Sequence, residues 1–139
     1  MATIFTRIID GEIPGTFVWR DEQCVGFMSI NPIAGGHVLV VPIAEIDHWL
    51  EAPAGLRAHL FEVSGHIADA QQAAFLPVRV GLMIAGFEVP HTHIHVIPMM
   101  SMADISFANA AASVDRDDLE AAAEAIRDQL RAAGHRAVV

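Results

Sequence analysis

The sequence predicts an α+β fold in which a mostly antiparallel sheet carries helices packed on one face. Short runs of β-branched and apolar residues, separated by turn residues, are typical of strands. Two longer segments repeat their apolar residues at spacings of three and four, which is typical of amphipathic helices. Along the chain these segments form a strand meander, a long helix, two further strands and a final helix. That order is the pattern of an α+β domain.

The first half of the chain predicts one short helix and three strands. The helix begins near Ile4, includes Asp10 and ends at Gly11. Strands at residues 17–20 and 25–28 are joined by a polar turn. A third strand, at residues 37–41, is β-branched and apolar, which indicates a buried strand that ends at Pro42.

The second half predicts two helices and two strands. The segment from about Ala54 to Phe75 carries a helical apolar stripe and ends before Pro77. Strands at residues 78–85 and 91–97 follow, on either side of Gly86. A second stripe predicts a final helix with an acidic N-terminal end, and its apolar positions are Leu119, Ala123, Ile126 and Leu130.

Length, charge and cysteine content exclude several classes of protein. The 139 residues are most simply one domain, residues 1–139. No apolar run reaches the roughly 18 residues of a membrane span, and the N-terminal residues lack a secretion-signal pattern, so we expect no membrane partner. Cys24 is the single cysteine, which excludes an intrachain disulfide and fits the cytoplasm. The net charge of −9 disfavours nucleic acid as a partner but permits a mononucleotide at a local positive site.

The most informative segment is His91-Thr92-His93-Ile94-His95, which places three of the eight histidines at a spacing of two. Two is the period of a strand, so we expect the three imidazoles on one sheet face and Thr92, Ile94 and Val96 on the other. One face is then apolar and fit for the core. The other face carries three groups that can act as nucleophile, acid, base or metal ligand near neutral pH.

Three interpretations of this segment are open from the residues alone. It could be a strand whose exposed face happens to be histidine. It could be a zinc, copper or iron site, with Glu88 or His37 as a further ligand. It could serve phosphorus chemistry, because imidazole is nucleophilic at pH 7 and a neighbouring imidazolium offsets charge on phosphoryl oxygens. The last interpretation favours His93 as the nucleophile, since it alone has a histidine ring on each side.

The run from His91 to Ile97 resembles the signature of the histidine triad (HIT) family, in which histidines alternate with hydrophobic residues and two more hydrophobic residues follow. Several ordered motifs that agree in spacing are more specific than the triad alone. Three further blocks, in order, resemble the Hint-like branch: Ile4-Phe5-x-x-Ile8-Ile9-x-Gly11-Glu12-Ile13-Pro14, Phe27-x-x-Ile30-Asn31-Pro32 and Gly36-His37-Val38-Leu39-Val40-Val41-Pro42.

The resemblance implies a HIT-like fold with an antiparallel five-stranded meander sheet that continues across a homodimer. It also implies a phosphoramidase-like nucleotidyl hydrolase or transferase that acts on the α-phosphate of a purine nucleoside phosphate conjugate. By position, His93 would become nucleotidylated, and His95 and His37 would contact the phosphate or the leaving group. His91 would hold the array in place. No metal or cofactor is needed in this scheme, because the imidazoles carry the positive charge.

The resemblance assigns six further residues to substrate binding: Ile8, Phe27, Ser29, Ile30, Gly86 and Glu88. The apolar ones would wall the base pocket, although core packing explains Ile8 at least as well. Ser29 stands where the family has an acidic residue that grips the ribose hydroxyls. Gly86-Phe87-Glu88 stands in place of Gly-Gln-Ser or Gly-Gln-Thr, so a carboxylate that repels phosphate replaces a hydroxyl that donates to it.

Two other departures from the family pattern follow. The loop from Gly81 to Ala85 is apolar and lacks the usual asparagine, and Thr3-x-x-Thr6 with Glu45 replaces the ligands of zinc-bearing members. We therefore expect no structural zinc. Since the losses concern the ribose and the leaving group and spare the nucleophile, the alternative function is a nucleotide-binding or sensing module with little turnover.

Overall fold

The computed structural model describes residues 2–139 and confirms the α+β class. Within these residues, three single-turn 3₁₀ helices lie in the connections, at Trp49–Glu51, Met102–Ile105 and Phe107–Asn109. No helix within the described residues is both long and apolar enough to cross a membrane. The main elements are α1 (Ile4–Ile9), β1 (Phe17–Arg20), β2 (Cys24–Met28), β3 (Val38–Pro42), α2 (Ala54–Phe75), β4 (Arg79–Met83), β5 (Ile94–Met99) and α3 (Arg116–Ala132).

Capping chemistry sets the helix ends. Thr3 begins α1, because its hydroxyl accepts a backbone N–H of the first turn. Asp115 begins α3 in the same way, with its carboxylate accepting two N–H groups. Leu76 caps the C-terminal end of α2, where it adopts a left-handed conformation (φ 51°) directly before Pro77. Proline lacks the N–H that a further helical turn needs, so the helix stops there.

The five strands form one antiparallel sheet in the order β1-β2-β3-β5-β4. The predicted meander therefore describes only the first three strands. After β3, the 22-residue helix α2 carries the chain past the position next to β3. β4 forms the far edge as a result, and β5 returns to pair with β3 on one side and β4 on the other.

The two faces of the sheet have different cores. The apolar stripes of α2 and α3 pack against one face, where Val38, Ile94 and Val96 are almost completely buried. The short helix α1 packs on the opposite face, where Phe5 and Ile9 meet strand residues such as Phe27, Leu39 and Val41. The prediction that helices cover a single face is wrong for α1, whose six residues are too few to show a clear helical stripe in the sequence.

Candidate active site

A cleft of about 540 Å³ opens on the face of the sheet that carries α1. Its walls come from α1, from the ends of β2 and β3, and from the segments that flank β5. His37, His93 and His95 all line it, whereas His91 is 0 % exposed and lies behind them. The structure therefore brings the four sequence-predicted histidines together but divides them into three that face the cleft and one that supports them.

The histidine segment is only partly a strand. β5 begins at Ile94, so the prediction of a strand from His91 is wrong by three residues. The cause is Thr92, whose backbone N–H and hydroxyl both donate to the carbonyl of Ile46, at 2.7 and 2.9 Å. These bonds draw the chain away from sheet pairing before β5. Ile94 and Val96 do enter the core on the opposite face, as predicted.

His91 is held at both of its ring nitrogens. Nε2 lies 2.7 Å from the carbonyl oxygen of Pro42, which can only accept, so Nε2 carries the proton. Nδ1 of the neutral ring is then an acceptor, and it lies 2.7 Å from the Thr3 hydroxyl, which donates to it. His91 thus links the start of α1 to the end of β3 and fixes the backbone that precedes His93.

The tautomer of His93 follows from the same reasoning. Its Nδ1 lies 2.7 Å from the carbonyl oxygen of His91 and must donate to it. Nε2 therefore keeps its lone pair. The ring packs edge-on against Phe5, with centroids 4.9 Å apart, and lines the cleft. An imidazole fixed in this way presents a free nucleophilic nitrogen to any group bound there.

His37 and His95 form a two-residue hydrogen-bond relay, which puts the proton of His95 on the opposite ring nitrogen from that of His93. The backbone N–H of Ile33 donates to Nδ1 of His37 at 3.1 Å, so the proton of neutral His37 is on Nε2. That Nε2 lies 3.0 Å from Nδ1 of His95 and donates to it. The proton of neutral His95 is consequently on Nε2. His95 presents an N–H donor where the adjacent His93 ring, 4.9 Å away between centroids, presents a lone pair.

Burial lowers the pKa of each histidine in the cleft. Burial and the charge of His93 lower the pKa of His37 to about 4. Burial and the charges of His93 and His37 lower the pKa of His95 to about 3. Burial also lowers the pKa of His93, against the opposing effects of its bond to the His91 carbonyl and the charge of Glu88. The structure therefore replaces the imidazolium expected from the sequence with neutral rings that act through N–H groups and lone pairs.

The core fixes the backbone on either side of the relay. Gln71 of α2 is completely buried, and its amide nitrogen donates to the carbonyls of Gly36 and Val96, each at 2.9 Å. These two residues are the chain neighbours of His37 and His95. Gly36 also has a φ of +90°, and a Cβ there would overlap the ring of Phe75. The position therefore requires glycine on two counts.

Comparison with known proteins identifies the family. Residues 10–102 match the HIT domain family. The chain belongs to this family. It is 33% identical to the protein hit of Bacillus subtilis over 106 residues, which are 73% of each chain. Within the family, its fold is similar to a histidine triad nucleotide-binding protein described as hypothetical from Sulfolobus tokodaii, with a TM-score of 0.81, 27% identity and coverage of 92% and 91% of the two chains. It is also similar to a Zn-bound histidine triad family protein from Mycobacterium smegmatis, with a TM-score of 0.80, 25% identity and 96% coverage of both.

Five of the six residues expected to bind substrate line the cleft of this HIT domain. Phe27 is buried at its floor, Ile8 and Ser29 are half-buried in its walls, and Ile30 is 68 % exposed at its rim. Ile8 also packs against the core cluster around α1, so its position in the cleft and its packing role coexist. Gly86 is not among the cleft-lining residues between 2 and 139, and it has a φ of +86° in the loop before the triad.

Glu88 is exposed and lines the cleft. Its charge favours the protonated form of His93, because it is one of the influences that raise the pKa of that ring. Among the cleft residues between 2 and 139 it is the single carboxylate, and Arg116 is the single arginine or lysine. The cleft therefore contains one fixed negative charge and one fixed positive charge.

Hydrogen bonds tie together Thr3, Thr6 and Glu45, the residues that the resemblance aligns with the ligands of zinc-bearing members. Oε1 of Glu45 accepts from the backbone N–H of Thr3 at 2.6 Å and from the hydroxyl of Thr6 at 2.7 Å. Those two bonds lower the pKa of the Glu45 carboxyl. Thr3 in turn donates to His91. Two hydroxyls and a carboxylate lack the thiolates that structural zinc prefers, and both hydroxyls and Oε1 of Glu45 are already hydrogen-bonded.

Sequence reasoning missed the part of the cleft that comes from the segment before α3. Phe107, Ala110, Ala111, Arg116 and Leu119 all line it. The Phe107 ring packs edge-on against His95, with centroids 5.0 Å apart. Hydrogen bonds of Asn31 to the carbonyls of Ala111 and Ala112, and of the Ala111 N–H to the carbonyl of Pro32, hold this segment at the site. No local pattern encodes contacts over about 80 residues.

A second cluster of metal-ligand types lies on the other face, where Asp21, Cys24 and His59 approach one another. Hydrogen bonds already occupy Oδ2 of Asp21, which accepts from Trp19 at 2.8 Å and lies 2.7 Å from Nε2 of His59. Burial raises the pKa of the Cys24 thiol, which disfavours the thiolate that a metal needs. The cluster is a hydrogen-bonded support of the β1–β2 turn, in which the half-buried His59 pairs with Asp21.

Proposed function

We propose that this protein is a nucleotidyl hydrolase or transferase of the Hint-like branch. It acts on the α-phosphate of a purine nucleoside phosphate conjugate and forms a covalent nucleotidyl intermediate on His93. One observation carries the proposal: hydrogen bonds fix opposite tautomers on two adjacent rings. His93 offers the Nε2 lone pair, and His95 offers the Nε2–H. A nucleophile beside a donor is what displacement at phosphorus requires.

The first step is attack of His93 Nε2 on the α-phosphorus. A nitrogen–phosphorus bond forms, and the bond from phosphorus to the leaving group breaks. The leaving group takes the electron pair, with His95 Nε2–H donating to it or to a phosphoryl oxygen, and it takes its proton from water. In the second step water attacks phosphorus and releases a proton to the solvent, which replaces the proton that the leaving group took. The nitrogen–phosphorus bond breaks, and His93 regains its lone pair. A transferase uses another acceptor in place of water.

The same cleft accommodates the nucleoside in this proposal. The base packs between Ile8 on α1 and the pair Phe27 and Ile30, which are apolar residues of the cleft. Ser29 faces the ribose. Phe107 closes the site beside His95, where it excludes water from the reacting groups.

A trapping experiment tests the proposal. The protein is mixed with an adenosine 5′-phosphoramidate, quenched in base and digested. The mass of the peptide that contains His93 is then measured by mass spectrometry. We expect a nucleotidyl adduct on His93 and its loss in His93→Ala. His48→Ala is the matched control, because His48 is an exposed histidine outside the cleft. Equal turnover by wild type and His93→Ala, with no adduct, refutes the proposal.

The second candidate is a nucleotide-binding or sensing module with little turnover. The exposed carboxylate of Glu88 in the cleft favours it, because a negative charge repels the phosphate of the substrate. This candidate predicts saturable binding of a purine nucleotide without product. The trapping experiment separates the two, since a module of this kind yields no adduct although it binds.

We also propose a cytoplasmic homodimer in which the β4 edges of two copies pair and extend the sheet. Within residues 2–139, β4 pairs with β5 alone, which leaves its other edge open. Exposed apolar residues surround this edge and line a groove of about 320 Å³ that includes Trp49, Phe61, Leu82 and Ile84. Light scattering tests the dimer: wild type is expected at twice the chain mass, and Leu82→Asp is expected at the mass of one chain.

A further inference from the structure

The ribose end of the cleft offers hydrogen-bond donors where a ribose diol needs acceptors. A carboxylate can accept from both hydroxyls of a ribose, but the residue at this position is Ser29. Its Oγ accepts the backbone N–H of Asn31 at 3.2 Å, which leaves one lone pair and one O–H, so Ser29 can accept from at most one of the two ribose hydroxyls. This end therefore suits a ligand group that accepts hydrogen bonds better than a group that donates two.

Arg116 adds a positive charge to the same end. The segment that precedes Arg116 is anchored against the segment that contains Ser29. There, Asn31 donates to the carbonyls of Ala111 and Ala112 at 3.1 and 2.9 Å. After Arg116, Leu119 lines the cleft and packs against the core cluster that contains Met28.

The charge of Arg116 is available to a ligand. No carboxylate of residues 2–139 forms an ion pair with it. The carboxylate of Asp115 accepts the N–H groups of the first helical turn, and Glu120 is bound by Arg127 at 2.7 Å. Asp117 and Asp118 lie one and two positions away, which do not share a helix face with Arg116.

We propose that the cleft takes nucleotide conjugates whose ribose carries a second phosphate, on the 2′ or the 3′ oxygen. A phosphate monoester presents acceptor oxygens only, and an arginine can bind it through two parallel N–H groups. Ser29 donates to a third oxygen. The exchange of an acidic residue for a hydroxyl and an arginine is the change that distinguishes a phosphorylated ribose from a free one in other nucleotide sites. The inference rests on the proposed function, because it needs the nucleoside in this cleft.

Calorimetry on the full chain tests the inference with three probes: adenosine 5′-monophosphate, adenosine 2′,5′-bisphosphate and adenosine 3′,5′-bisphosphate. We expect wild type to bind one bisphosphate about tenfold more tightly than the monophosphate at low salt, and the advantage to shrink as salt rises. Arg116→Gln should bring the ratio of the two affinities close to one. Ser29→Asp should reverse it, because a carboxylate accepts from a free ribose and repels a phosphate.

The control is Arg136→Gln, which removes an exposed arginine outside the cleft and should keep the wild-type ratio. Equal affinities for the three probes in wild type overturn the inference and leave the proposed function standing. An advantage that persists in Arg116→Gln also overturns the inference. If none of the three probes binds, nucleotide recognition itself is wrong, and the proposed function fails with the inference.

Discussion

Replacement of Thr3 by valine tests how the histidine array is held in place. Valine matches threonine in shape, so the change removes the hydroxyl without leaving a cavity. Nδ1 of His91, which is completely buried, then loses its donor at a cost of about 1–3 kcal/mol. The hydroxyl also caps α1, and loss of a cap costs about 1 kcal/mol more. We therefore expect the free energy of unfolding to fall by about 2–4 kcal/mol in total.

Urea denaturation of Thr3→Val measures this loss, and two variants serve as controls. Thr3→Ser keeps the hydroxyl and should remain close to wild type. Thr6→Val removes a hydroxyl that bonds to Glu45 at the surface and leaves His91 untouched, so it should change stability little. A Thr3→Val protein within about 0.5 kcal/mol of wild type would show that Thr3 does not hold His91.

Three further predictions follow from the same geometry. Although burial alone would raise the pKa of Asp21, hydrogen bonds from Trp19, two backbone N–H groups and His59 lower it to about 2 from 3.8. The stability that this carboxylate gives the fold is therefore present above pH 4 and is lost as the pH falls towards 2. Between pH 4 and pH 2, the free energy of unfolding of Asp21→Asn should therefore fall by about 2 kcal/mol less than that of wild type. An equal fall in the two proteins contradicts the role of this carboxylate. Glu88→Ser should lower KM for an adenosine phosphoramidate several-fold, since it removes a charge that repels phosphate, and a raised KM shows that Glu88 helps to bind the substrate. Dialysis against a chelator should leave turnover unchanged, and elemental analysis that finds one zinc, iron or copper per chain identifies the triad as a metal site instead.

Local patterns predicted the elements well because the information that specifies them is local. The apolar stripe of α2 and the turn residue Pro77 set that helix to its observed ends. β2 begins at Cys24, one residue before the predicted start of that strand, and Cys24 is completely buried. The β5 start is different: it depends on Ile46, a residue almost fifty positions earlier whose carbonyl binds Thr92. No pattern within the triad encodes that partner.

The candidate site likewise has some features that local sequence encodes and others that only the fold creates. The histidines could be predicted because three of them alternate within five residues and His37 belongs to a recognisable block. Their protonation could not, since it depends on the carbonyl of Pro42 and the N–H of Ile33, which only the fold brings to them. Phe107 and Arg116 were missed for the same reason. Burial, which makes the rings neutral, is likewise a property of the packed molecule.

The proposed chemistry depends on two neighbouring histidines that are neutral at pH 7 and carry their protons on opposite nitrogens. Long-range ¹H–¹⁵N correlation spectra of ¹⁵N-histidine-labelled protein measure this directly. We expect a proton on Nδ1 of His93 and on Nε2 of His95, with both rings neutral. A proton on Nε2 of His93 would leave no lone pair facing the cleft and would rule out His93 as the nucleophile.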